Sequence, residues 1–137
     1  MPGRSPLEPL LLYPLQRMSE DKDQTRRGGP ALEKAYRFVL WVVPTLEKFP
    51  RSQRFLIGDR IETTVLSVLE GLVEATYSKQ VEPILRGVNL ALEKLRFLFR
   101  LSKDLRYLDL KRYEFVAREI DEIGRLVGGW LKAARRA

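Results

Sequence analysis

The chain has no cysteine and no histidine, and these two absences remove much of the chemistry open to a small protein. There is no disulfide framework, no Cys or His zinc site, no thiolate nucleophile and no imidazole base. Pairs such as Glu70/Glu74 and Glu119/Glu122 share helix faces, but a di-iron bundle needs Glu-x-x-His, and the histidine is missing. Glycine is also absent where phosphate chemistry would need it. Neither GGPALEK nor GDRIETT has the spacing of a phosphate-cradling loop. Long apolar runs are lacking too. The longest, Phe38 to Val43, is far too short to cross a bilayer. Leu10–Tyr13 is flanked by Glu8, Pro9 and Pro14 and has no small-residue cleavage site, unlike a signal peptide. The expectation is a cytoplasmic protein with no membrane association, no catalytic residues, no metal and no cofactor.

What the chain does have is positive charge. Its net charge is +7, with 25 Lys and Arg against 18 Asp and Glu. The excess is uneven, because residues 78–106 alone contribute +4. Arginine predominates among the cations, and its guanidinium forks onto phosphate and carboxylate alike. A balance of this kind favours polyanionic partners.

Residues 1–30 hold five of the eight prolines and no helical apolar period, so they read as a flexible N-terminal arm. From Leu32 onward the apolar residues step by three and four. The stripes are Leu32-Ala35-Val39-Val42-Leu46-Phe49, Gly58-Ile61-Val65-Val68-Leu72-Ala75, Val81-Ile84-Val88-Ala91-Leu95-Leu98-Ser102-Leu105, and Tyr113-Val116-Ile120-Ile123-Val127-Trp130-Ala134. That period is helical, and no segment alternates as a strand does. Short breaks at Pro50, Ser78–Gln80 and Leu108–Asp109 make successive helices antiparallel. The prediction is an all-α, up-down-up-down four-helix bundle over 31–137, with helices at about 31–49, 52–77, 80–106 and 110–135. Pro44 predicts a kink in the first helix, and Ser52 is a candidate cap for the second.

A bundle buries one stripe of each helix, so function is expected on the outer faces. On the third helix, Leu90, Phe97 and Leu101 fall nearly opposite Val88, and on the first Trp41 falls opposite Val39. These are candidates for an oligomer or partner interface, since large apolar groups in line are unusual on a monomer surface. Arg96, Arg100 and Lys103 share a polar flank of the third helix. On the fourth, Lys111, Arg118, Arg125 and Lys132 recur every seven residues, with Arg135 and Arg136 beyond. Such a line could track a phosphate backbone. It could equally be a solvated face, with Glu114–Arg118 and Asp121–Arg125 as i,i+4 pairs. Finally, KFPRSQRFLIGDRI places Arg51, Arg54 and Arg60 at the start of the second helix, where cations oppose the helix dipole. Ordinary capping does not explain them.

Three blocks, PTLEKFPRSQRFLIGDRIE, LEKLRFLFRLSKDLRYL and IDEIGRLVGGWLK, resemble those of the Avd family, the accessory variability proteins of diversity-generating retroelements. The similarity covers roughly residues 32–132. It lies within a wider group of four-helix bundles that includes those encoded in rRNA intervening sequences. A stand-alone RNA- or protein-binding adaptor of that type is the alternative. The resemblance implies a basic bundle that assembles as a homopentamer and binds a retroelement reverse transcriptase and its template RNA, and possibly DNA. It would thereby support mutagenic cDNA synthesis. On that basis Trp41, Leu90, Phe97 and Leu101 are expected at subunit or partner contacts. Arg96, Arg100, Lys103, Lys111, Arg118, Arg125, Lys132, Arg135 and Arg136 are expected at RNA or polymerase contacts, with Arg51 and Arg54 secondary. Five copies would carry a net charge of about +35.

Overall fold

The computed structural model describes residues 29–136, so most of the expected N-terminal arm lies outside the described residues. Within them the chain forms four helices and no strand. Helix α1 covers residues 29–46. Helix α2 starts as Arg51–Gln53, widens to a π-helical turn at Arg54–Gly58, and continues as Asp59–Tyr77. Helix α3 is Val81–Asp104 and α4 is Leu110–Arg136.

Cross-helix pairs give the topology. Between α3 and α4, Glu82 meets Arg135, Arg96 meets Asp121 and Lys103 lies over Tyr113. Numbers rise on one helix as they fall on the other, so the two are antiparallel. Lys34–Glu119 and Trp41–Phe115 place α1 against α4 in the same sense. Phe38 against Phe99 joins α1 to α3 through the core. The result is the four-helix bundle that the apolar period predicts.

Burial follows the predicted stripes closely in α2 and α4. Ile61, Val65, Val68, Leu72 and Ala75 are buried, as are Val116, Ile120, Ile123 and Val127. In α1 and α3 the buried face is turned by about one position. Phe38 is buried while Val39 is half-buried, and Leu85, Leu92 and Phe99 join the core while Ile84 and Leu98 sit at its edge. In both helices a large side chain beside the predicted line moves the buried axis toward itself. Full burial of a Phe is worth about 2–3 kcal/mol. Leu105, expected in the core, is exposed because α3 stops at Asp104 and Leu105 occupies its cap.

Polar groups within the core are satisfied locally. The hydroxyls of Thr45, Thr76 and Ser102 donate to the carbonyls of Trp41, Leu72 and Leu98 at 2.7, 2.8 and 2.8 Å. Gly71 marks a close approach of α2 to α3. A Cβ there would lie 2.7 Å from Val88 Cγ2, so no larger residue fits without moving a buried neighbour. Pro44 is exposed two residues before α1 ends, and the helix continues through it.

The caps differ from expectation at α2. Ser52 lies inside the first turn and does not cap, because the helix already starts at Arg51. The Pro50 carbonyl instead accepts the N–H groups of Gln53 and Arg54 at 2.8 and 2.9 Å. Asp109 caps α4 by accepting the Arg112 N–H at 2.8 Å.

Candidate interaction surfaces

The π turn decides which face of α2's first residues meets solvent. In an uninterrupted α-helix, Phe55 would lie on the same face as Gly58, three positions on. That face is the core. The wider i→i+5 turn keeps Gly58 buried and leaves Phe55 and Leu56 outside, 64% and 60% exposed. They meet the outward residues of α3, Leu90 and Phe97, which are 58% and 65% exposed. Together the four line an open groove of about 980 Å³ between α2 and α3. Both signs of charge rim it, with Asp59 and Arg60 on α2 and Glu93 and Lys94 on α3. Leu101 extends the apolar line toward the α3 terminus and is also exposed.

Trp41 is placed differently from its expected outward position. Its ring lies 4.8 Å from that of Phe115 and 6.5 Å from that of Phe38, half-buried against the core. The cause is again the rotation of α1. With Phe38 rather than Val39 facing inward, Trp41 turns toward α4.

The cations divide into two sets. Arg96 is held between Glu93, 2.9 Å away, and Asp121 across the α3–α4 seam. Burial works against its charge, but the hydrogen bonds it donates to Asp121 and Glu93 outweigh that and hold the guanidinium above its ordinary pKa. A Cβ at Gly124 would lie 3.9 Å from this guanidinium. Lys103 pairs with Asp104 at 3.2 Å and sits 4.8 Å over the Tyr113 ring. Arg125 binds Glu122 through two hydrogen bonds of 3.0 and 2.6 Å, which lower the carboxyl's pKa. Arg135 reaches Glu82 at 3.1 Å. With Arg86, it holds that carboxyl below the usual glutamate range.

The expected Asp121–Arg125 pair is therefore replaced by Glu122–Arg125, because Arg96 occupies Asp121. The expected Glu114–Arg118 pair is not made either. Arg118 is exposed and makes no ion pair among the described residues. Arg100, Lys111, Lys132, Arg136 and Arg51 are likewise exposed and unpaired among the described residues. Arg54 stacks over Phe55 with its guanidinium carbon 5.4 Å from the ring centroid.

Three residues of consequence escaped the sequence reading. Phe55 and Leu56 had a signal in the apolar run Phe55-Leu56-Ile57, of which a helix can bury only part. Arg106 had none. It adopts a left-handed φ of 66° just after α3.

Among the described residues, no group of three or more acidic side chains is placed to hold a metal, and no helix is long and apolar enough to cross a membrane. The fold and its surfaces define a class: a small all-α bundle whose distinguishing features, an apolar groove and unpaired cations, lie on its outside. The chain belongs to the bAvd-like family, whose sequence model matches residues 31–134, and so to the accessory proteins of diversity-generating retroelements. The match spans all four helices, including the groove and the arginine corner. Proteins of this accessory family are generally non-catalytic. No curated protein matches the chain.

Proposed function

We propose that this Avd-family protein is a non-catalytic, cytoplasmic adaptor that assembles with copies of itself, as a homopentamer. In that form it binds the retroelement's reverse transcriptase and template RNA to support mutagenic cDNA synthesis. The observation that carries the proposal is the α2–α3 groove. Phe55, Leu56, Leu90 and Phe97 are all more than half exposed on one chain, and a monomer gains nothing from such a patch. Its rim carries Asp59 and Glu93 beside Arg60 and Lys94, which a protein surface of mixed charge can match. Assembly then multiplies the charge of Arg100, Lys111, Arg118, Lys132 and Arg136, which the fold leaves unpaired, and a dense positive field attracts a phosphate chain. Of the two carboxylate pairs on helix faces, Glu119 and Glu122 are engaged, by Lys34 at 2.7 Å and by Arg125.

Two measurements test the reading. Light scattering should return several times the 15.9 kDa chain mass, and RNA affinity should fall steeply with salt. A 15.9 kDa species that ignores RNA would refute it.

A further inference from the structure

We infer that the end of the bundle carrying the α1–α2 and α3–α4 turns is a phosphate-backbone site for RNA, built by Lys48, Arg51, Arg54, Arg106 and Lys111. The inference rests on the RNA-binding reading above and adds where on the chain the strand is held.

The two turns meet because the helices are antiparallel, and the Phe49 ring packs 6.0 Å from that of Tyr107. Cations separated by more than fifty positions in the chain thereby share one end. Lys48, Arg51, Arg106 and Lys111 are exposed. Among the described residues none of the five makes an ion pair, although Asp109 lies near enough to Lys111 for that charge to lower its carboxyl pKa, and Arg54 lines a surface pocket with Glu47, Asp59 and Glu62. At the same end Arg112 and Lys103 are neutralised by Asp109 and Asp104. The outer stripe of α4 is a weaker candidate. Its four cations are strung out seven residues apart, and Glu122 neutralises one of them.

Two of the five occupy positions the fold itself disfavours. After α3, the Arg106 N–H bonds to the Lys103 carbonyl at 2.9 Å and the Tyr107 N–H to the Ser102 carbonyl at 2.8 Å. This helix-ending wrap requires a left-handed residue and ordinarily takes Gly or Asn. Arginine pays for it in backbone strain, and its side chain makes no ion pair among the described residues in return. Arg51 stands in the first turn of α2, where no acidic residue accompanies it and the helix dipole repels a cation. Both costs fall at one end on residues of the same charge, and a polyanion bound by their side chains would compensate for both. Guanidinium forks match phosphate oxygens in pairs, and a run of exposed cations without a pocket suits a backbone rather than a discrete small anion.

The test uses the full chain, a labelled single-stranded RNA of mixed sequence and the same RNA closed as a hairpin, with binding followed by anisotropy over a salt series. The triple variant Arg51→Gln/Arg54→Gln/Arg106→Gly should lose about tenfold or more in affinity, and its log–log salt slope should be shallower by about two to three. The stripe variant Arg118→Gln/Lys132→Gln should change less. Arg106→Gly alone should weaken RNA binding while melting at or above the wild-type temperature, a combination that a structural role would not give. A lower melting temperature would show that Arg106 serves the fold and would overturn this argument. If the stripe variant loses affinity and the triple variant does not, the RNA reading survives and the placement fails. If the triple variant keeps RNA but no longer co-purifies with the polymerase, the site meets an acidic protein face and the placement again fails. A wild-type chain that binds neither RNA would remove the RNA reading itself.

Discussion

Phe97→Asp is the sharpest perturbation of the groove. Phe97 is 65% exposed on the single chain, which leaves about 130 Å² of ring and stem for a partner to cover. At about 25 cal/mol per Å², covering it in the proposed subunit contact would contribute about 3 kcal/mol, or roughly a hundredfold in dissociation constant. An aspartate would add the cost of a carboxylate buried without a partner. The folded chain should hardly notice, because exposed substitutions away from caps and cores change stability by about 0.5 kcal/mol or less. Size-exclusion chromatography with light scattering should therefore show dissociation toward the 15.9 kDa chain, with helical circular dichroism unchanged. Two results would refute the reasoning. One is a Phe97→Asp protein with the wild-type mass. The other is a variant that loses helix together with mass, which would make Phe97 a folding residue.

Further predictions follow from single contacts. Gly71→Ala should destabilise by about 1–2 kcal/mol, since its methyl would press on buried Val88 and overpacking outweighs the helix-propensity gain. Gly128→Ala should stabilise by up to about 1 kcal/mol, because nothing lies within 4 Å of the added Cβ. Denaturant titration should rank the two variants on opposite sides of wild type, and equal midpoints would contradict the packing at Gly71. Arg106→Gly should gain about 1 kcal/mol by relieving the left-handed backbone, raising the melting temperature by several degrees. Glu82, Asp109 and Glu122 all have lowered carboxyl pKa values, from Arg135 and Arg86, from the Arg112 backbone N–H, and from Arg125. Their stabilisation is complete above the ordinary carboxylate range and is lost as pH falls through their lowered values. With no histidine or cysteine, the denaturation midpoint should stay level from about pH 8 to 6 and decline below about pH 4. A decline between pH 8 and 6 would contradict this assignment.

The fold was legible because a single period ran through it. Ile61, Val65, Val68 and Leu72 alternate by three and four residues with no aromatic neighbour to compete, and all four are buried. Where a Phe adjoined the stripe, as at Phe38 and Phe99, periodicity alone misjudged the face by about one position. The same rotation carried Trp41 from the outer surface to a half-buried contact with Phe115. The groove was half legible. Leu90, Phe97 and Leu101 follow from position opposite the core, and Leu56 lies two positions from buried Gly58 and so faces outward in any helix. Phe55 leaves the Gly58 face because of a π turn, which has no marker in composition or spacing. Charge was legible as a total and not as a pairing. Whether Asp121 serves Arg125 or Arg96 depends on the distance between α3 and α4, and that is a tertiary quantity. The left-handed Arg106 lay beyond reach for the opposite reason, since a glycine at that position would have announced the conformation and an arginine conceals it.

The most direct test of an outward-binding adaptor is co-purification of the native chain with the reverse transcriptase and template RNA of its own locus. Wild type should retain both, and a chain altered at Phe97, Arg51, Arg54 and Arg106 should lose them while keeping its helical content. Recovery of the wild-type chain as a lone 15.9 kDa species, with neither polymerase nor RNA, would contradict the account.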